Sequence, residues 1–99
     1  MALRVNREIL LHPAQWGTAG DFYHELLTAL EAPEWHGQNM DTVADSLVGG
    51  QVNGVEPPFT ILLYQAADVP GFAARLIKQL EAIASEATAS GRPISVQRR

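Results

Sequence analysis

Residues 59–64 read FTILLY, a nearly continuous run of apolar side chains that follows Pro57 and Pro58. Such a run is typical of a strand buried on both faces, as in a parallel sheet. The bond between the two prolines can be cis or trans, and the sequence leaves this open. FTILLY therefore predicts a buried strand and, with it, an α/β fold.

Two further segments predict the other strands of the sheet. Residues 3–11 are short and apolar-rich, and residues 93–97 read PISVQ. Between FTILLY and PISVQ, residues 70–89 predict the longest helix, which Gly91 ends. Its predicted buried face comprises Phe72, Leu76, Ile77, Leu80, Ile83 and Ala84.

Two helices are predicted before FTILLY. Apolar residues recur at helical spacing over residues 21–32, with Asp21 as the expected N-cap. Residues 40–48 predict the next helix, with Asn39 as N-cap and Gly49 and Gly50 as the stop. Strands separated by helices indicate a small parallel sheet with helices packed against it.

The composition limits the class of protein. The 99 residues predict a single domain over residues 1–99, and 46% hydrophobic residues predict a folded one. The absence of cysteine excludes disulfides and thiolate metal sites and suits a reducing cytoplasm. We find no signal peptide, and no stretch approaches the about 20 apolar residues of a membrane helix. The sequence therefore predicts a cytoplasmic protein that does not bind membranes.

The charges are segregated along the chain. No lysine or arginine lies between Arg7 and Arg75, and that interval holds nine acidic residues. A field of one sign attracts basic partners and repels nucleic acid phosphates, so we expect no nucleic acid ligand. The alternative interpretation is an acidic surface that serves solubility.

Asp41 and Asp45 are four residues apart on the second predicted helix and therefore share one face. A like-charged pair at this spacing costs about 0.2–0.5 kcal/mol, and no cation is near in sequence to offset it. This favours a cationic partner, although two solvated aspartates would also explain it. Trp35, in the preceding loop, is either a lid on the edge of the core or an interface anchor. Gly37 is expected to adopt a left-handed turn there.

The stretch APEWHGQNMDTVADSL, residues 32–47, resembles the signature segment of the barstar family of intracellular ribonuclease inhibitors. That segment has a Pro-Glu-aromatic-aromatic-Gly loop, then Asn, an apolar residue, Asp, and a second Asp four positions later. Every position is satisfied except the second aromatic, which is His36 here. The resemblance implies a three-stranded parallel sheet packed against three or four helices. It also implies a function, the inhibition of a small basic ribonuclease by an acidic helix and loop that mimic RNA phosphates.

The resemblance also implies roles for particular residues. Asp45 would sit deepest, facing the catalytic arginine and histidine groups of the ribonuclease, with Asp41 as its companion. Trp35 would stack on the active-site histidine of the ribonuclease. The remaining implied partner-binding residues are His36, Gly37, Asn39, Met40, Gly49 and Glu86.

Two departures from the family leave a second function open. Where a family member carries tryptophan, this chain has Ala44 and Gly50. The missing aromatics suggest a different ribonuclease, or an interaction module for toxin immunity or regulation with a partner that is not a ribonuclease. Nothing in the sequence requires more than a monomer when the chain is free.

An enzymatic function is not expected. The chain has no phosphate-binding loop, nucleophile elbow or metal-ligand spacing, so we predict no catalytic residue, no cofactor and no metal. His12, His24 and His36 fall on different predicted elements and are interpreted as surface or loop histidines.

Overall fold

A three-stranded parallel sheet organises the protein, whose computed structural model describes residues 7–99. The strands are β1 (Arg7–Leu11), β2 (Phe59–Leu63) and β3 (Ile94–Arg98), in the spatial order β1-β2-β3. The part of the predicted first strand over residues 3–6 lies outside the described residues. The prediction of a parallel sheet is confirmed.

The central strand, β2, is buried along its whole length, as FTILLY predicts. Ile61 pairs with Ile9 on one side and with Val96 on the other. On the opposite face of the sheet, the hydroxyl groups of Thr60 and Ser95 share a hydrogen bond of 2.9 Å. The peptide bond between Pro57 and Pro58, just before this strand, is cis.

Three α-helices surround the sheet, in agreement with the predicted fold class. They are α1 (Ala19–Ala29), α2 (Met40–Ala44) and α3 (Gly71–Ala89), and a 3₁₀ turn over Pro13–Gln15 follows β1. The helix of α2 continues as a π-helical turn over Asp45–Gly49, which the sequence does not predict. None of the helices within residues 7–99 has the length and hydropathy that crossing a bilayer requires.

The helix α1 begins two residues earlier than predicted, so the expected N-cap at Asp21 is wrong. Thr18 is the N-cap: its hydroxyl accepts a hydrogen bond from the Asp21 amide at 3.3 Å. The Asp21 carboxylate in turn accepts from the Thr18 amide at 3.0 Å, which completes a capping box. The sequence hides this start, because Ala19 and Gly20 precede the first residue of the apolar spacing that marks the helix.

One carboxylate joins α1 to the loop after β1. Glu25 accepts hydrogen bonds from the His12 amide at 2.8 Å and the Trp16 indole at 2.8 Å, and its other oxygen lies 2.9 Å from the His12 ring. Burial alone would raise the pKa of Glu25, but these hydrogen bonds outweigh it and hold the pKa below its usual value of 4.5.

The core lies between the sheet and the apolar faces of the helices. The predicted apolar residues of α1 are buried, and those of α3 are buried except Phe72, which packs at the edge of the core. The largest fully buried side chains include Phe22, Phe59, Leu26, Leu30, Leu47 and Leu80. Val43 anchors α2 to this core and Leu47 anchors the π-helical turn, so the opposite face of this helical segment is free to point outward.

Candidate partner-binding site

The acidic helix α2 begins as the sequence predicts. The side-chain oxygen of Asn39 accepts a hydrogen bond from the Thr42 amide at 2.9 Å, which confirms Asn39 as N-cap. The Asp45 amide donates to the Asp41 carbonyl, so these two residues keep the α-helical spacing of four. Both side chains are exposed. The two carboxylates therefore stand on one solvent-facing side of the helix.

The π-helical turn follows directly after Asp45 and ends at Gly50, which has a φ of 79°. Arg92, from the segment before β3, closes this end of the helix: its Nε donates to the Leu47 carbonyl at 2.9 Å and its Nη2 pairs with Glu56. A Cβ at Gly50 would collide with the Arg92 guanidinium group. The predicted stop at Gly50 is confirmed, while Gly49 belongs to the π-helical turn.

The loop before α2, residues 33–38, presents one aromatic side chain to solvent. Trp35 is 76% exposed. A tryptophan that covered the edge of the core would be largely buried, so this exposure favours the interface-anchor interpretation over the lid.

His36, the next residue, points inward and is only 7% exposed. His36 lies in a loop, which fits its interpretation as a surface or loop histidine, but it is buried and not at the surface. Its Nε2 lies 3.0 Å from the Ser46 hydroxyl, and its Nδ1 lies 2.9 Å from the Gly37 carbonyl. The sequence could not predict this burial, because the groups that surround the ring come from the π-helical turn and from the loop that follows it.

Gly37 is required by close packing and not by a left-handed backbone. Its φ is not positive, so the expected left-handed turn is wrong. A Cβ at this position would lie 2.9 Å from the Thr42 hydroxyl and 3.1 Å from the Asn39 side-chain nitrogen. The Thr42 hydroxyl donates to the Gly37 carbonyl at 2.8 Å, which draws the loop tightly against the start of α2.

The loop and the acidic helix enclose a cavity of about 220 Å³. It brings together four of the predicted site residues, which are Trp35, His36, Gly37 and Asp45. Three lining residues that sequence reasoning missed are Thr42, Ser46 and Val52. A polar side chain at position 46, next to Leu47 on the buried side of the helix, is the signal that could have indicated Ser46.

The other predicted site residues lie outside this cavity. Asn39 and Asp41 are exposed at the start of α2, and Met40 is partly buried against the core. Gly49 is exposed in the π-helical turn, and Glu86 is exposed on α3.

The negative charges of the two aspartates are not neutralised by ion pairs among the described residues. Neither Asp41 nor Asp45 forms an ion pair with any residue between positions 7 and 99. Burial raises the pKa of Tyr23, on α1, and the negative charge of Asp41 raises it further. The acidic face therefore carries charge that no described residue neutralises. In the same part of the chain, no three histidine, aspartate or glutamate side chains group as metal ligands.

The fold is that of a small α/β domain with an exposed acidic helix. Comparison with family models matches residues 7–98 to the family described as Barstar (barnase inhibitor). The chain belongs to the barstar family. A comparison with curated proteins finds no significant match. At the level of the family, the match supports an inhibitor of barnase-like ribonucleases and not an enzyme.

Proposed function

We propose that this chain inhibits a small basic ribonuclease of the barnase-like or guanyl-specific microbial class by inserting α2 and the loop 33–38 into its active site. The observation that carries the proposal is that Trp35, which is exposed, and Asp45, which has no ion pair with any of residues 7–99, line the same cavity. The family's description as a barnase inhibitor supports the kind of partner. Such an inhibitor would act as a monomer in the cytoplasm, where the RNA of the host needs protection.

The chemistry of the partner explains why this arrangement would bind it. A ribonuclease concentrates arginine, lysine and histidine in its active site because it must hold a polyanion. Asp41 and Asp45 would occupy the positions of RNA phosphates there, with charge-assisted hydrogen bonds to guanidinium and imidazolium groups. The ring of Trp35 would stack on a planar cationic side chain beside Asp45.

The long-range field would favour fast encounter as well. No lysine or arginine lies between residues 8 and 74, so the loop and α2 stand within a stretch of uniformly acidic sequence. Complementary fields raise association rates toward about 10⁸–10⁹ M⁻¹s⁻¹ at low salt. Fast association would let the inhibitor disarm the nuclease before it cleaves RNA.

A second candidate function follows from the far end of α2. At Gly50, where a family member carries tryptophan, the Arg92 guanidinium packs against the backbone. This end of the site therefore presents neither the aromatic ring nor a uniformly acidic surface. A barstar-like interaction module whose partner is a different toxin or a regulatory protein would fit this departure.

Isothermal titration calorimetry against a panel of small basic microbial ribonucleases, at two salt concentrations, tests the proposal. We expect tight binding to at least one ribonuclease, which weakens as the salt concentration rises. Absence of binding to every member of the panel would contradict the ribonuclease proposal. An unbiased pull-down with the wild-type chain and the Asp45→Ala variant would then search for the partner of the second candidate.

A further inference from the structure

Three buried polar side chains come together behind the loop that carries Trp35. They are His36 from the loop, Ser46 from the π-helical turn and Asn53 from the loop before β2, and each is less than 9% exposed. The Ser46 hydroxyl contacts both of the other side chains. It lies 3.0 Å from His36 Nε2 and accepts a hydrogen bond from Asn53 Nδ2 at 3.2 Å. We call these three side chains the His36 clamp.

The clamp connects segments that are distant in the chain. The Ser46 hydroxyl also lies 3.1 Å from the Val43 carbonyl, within the helix, and His36 Nδ1 donates to the Gly37 carbonyl, which can only accept. The contact between His36 Nε2 and the Ser46 hydroxyl fixes the loop to the π-helical turn that begins at Asp45.

Apart from the clamp, the loop is held by the Thr42 hydroxyl bond to the Gly37 carbonyl at 2.8 Å and by the His36 amide bond to the Pro33 carbonyl at 3.0 Å, both close to the ends of residues 33–38. His36 lines the cavity that contains Trp35 and Asp45, and it also lines a second cavity of about 240 Å³ together with His24 and Glu34. His36 therefore borders both cavities. The exposed Trp35 side chain contributes little packing of its own.

A purely structural role would not call for these side chains. Buried polar groups cost free energy unless they are hydrogen-bonded, and the Oδ1 atom of Asn53 is buried without a partner among the described residues. An apolar side chain at position 36 would fill the same space without this cost. The polar arrangement gains a fixed geometry, since the directional hydrogen bond between His36 and Ser46 specifies where the loop lies, and Asn53 in turn orients the Ser46 hydroxyl.

We propose that the His36 clamp positions Trp35 beside Asp45 before the partner arrives, so that His36 acts as a positioning residue of the binding site. The proposal rests on the inhibitor function proposed above. Preorganisation raises affinity because the loop does not lose conformational freedom on binding. The clamp then acts through Trp35 and would leave the charges that attract the partner unchanged.

Two substitutions at position 36 separate this role from packing. His36→Gln places an amide where Nε2 stood and keeps a hydrogen bond to Ser46. His36→Leu fills the space without that bond, and it leaves few groups unpaired: the Ser46 hydroxyl still reaches the Val43 carbonyl, and the Gly37 carbonyl still accepts from Thr42. Both variants should therefore fold, which circular dichroism would verify.

The binding test is a double-mutant cycle between His36→Leu and Trp35→Ala with the ribonuclease that the wild-type chain binds. We expect His36→Leu to weaken binding about tenfold through faster dissociation, with His36→Gln near wild type. In the Trp35→Ala background, the loss caused by His36→Leu should disappear. An equal loss in both backgrounds, or no loss at all, would overturn the proposal.

The free protein gives a second readout that does not depend on any partner. We expect ¹⁵N relaxation to show a lower order parameter for the Trp35 backbone amide in His36→Leu than in wild type, with Trp16 unchanged as internal control. An unchanged Trp35 amide would refute positioning even if no ribonuclease binds. Failure of the wild-type chain to bind, with a loosened Trp35 in the variant, would contradict the inhibitor function alone.

Discussion

Trp35 and Asp45 line the same cavity, although one lies in a loop and the other begins the π-helical turn. The ring is 76% exposed, and the carboxylate has no ion-pair partner among residues 7–99. An exposed aromatic ring and an unpaired charge gain little within the free protein. A partner that packs on the ring and pairs with the carboxylate would explain why both residues line one cavity.

Removal of the Asp45 carboxylate should abolish most of the binding and leave the fold intact. Asp45→Ala is expected to cost at least about 2 kcal/mol of binding free energy, because a charged group buried at the centre of an interface is a typical hot spot. Asp68→Ala, which removes an exposed acid outside the cavity, is the matched control. Calorimetry gives the affinities, and a cost for Asp45→Ala below about 1 kcal/mol would contradict its role.

Truncation of Trp35 should separate binding from stability. Because the side chain is exposed, Trp35→Ala should change the free energy of unfolding by no more than about 0.5 kcal/mol. Its binding free energy should fall by about 1–2 kcal/mol or more, as for an aromatic anchor. Urea unfolding and calorimetry on the same variant make the comparison. Large destabilisation with unchanged binding would restore the interpretation of Trp35 as a lid on the core.

Two glycines of the candidate site should respond in opposite ways to alanine. Gly37→Ala should lower the free energy of unfolding by about 1–3 kcal/mol, because the new methyl group meets the Thr42 hydroxyl at 2.9 Å. Gly49→Ala meets nothing within 4 Å, and should leave stability unchanged or raise it by up to about 1 kcal/mol. Thermal denaturation would show the difference. Equal stability of Gly37→Ala and Gly49→Ala would mean that the Thr42 side chain moves aside without lowering the free energy of unfolding.

The carboxylate of Glu25 should make the stability of the fold pH-dependent. Its pKa is lower in the folded protein than its usual value of 4.5, so it stabilises the fold above that value. This contribution should be lost as the pH falls below 4.5 through the folded-state pKa. Glu25→Gln should be less stable than wild type by about 1–2 kcal/mol at pH 7.

Urea unfolding of both proteins between pH 7 and pH 3 measures this effect. The difference in the free energy of unfolding between wild type and Glu25→Gln should become smaller as the pH falls. A constant difference over that range would show that Glu25 does not titrate differently in the two states.

The sequence predicts those features that depend on local patterns. The apolar spacing of α1 and α3 and the unbroken run of β2 require no knowledge of the rest of the chain. The N-cap at Asn39 is also local, since its partner is the amide of Thr42. Likewise, the shared face of Asp41 and Asp45 follows from their spacing of four residues.

The features that could not be predicted depend on contacts between distant segments. The buried ring of His36 contacts Ser46, which the fold brings to it and which in turn accepts a hydrogen bond from Asn53. The requirement for glycine at position 37 comes from a side chain on the following helix and not from the backbone of the loop itself. The π-helical turn could not be predicted from the sequence for another reason. Over a single turn, the apolar spacing of a π-helix cannot be distinguished from that of an α-helix.

Inhibition of RNA cleavage tests the central claim most directly. Increasing amounts of the wild-type chain would be added to a fixed concentration of the ribonuclease that binds it, with cleavage of a fluorescent RNA as the readout. We predict that cleavage falls to zero at one inhibitor per enzyme, and that Asp45→Ala shifts the titration to much higher concentrations. Binding that leaves RNA cleavage intact would contradict occupation of the active site by α2 and its loop.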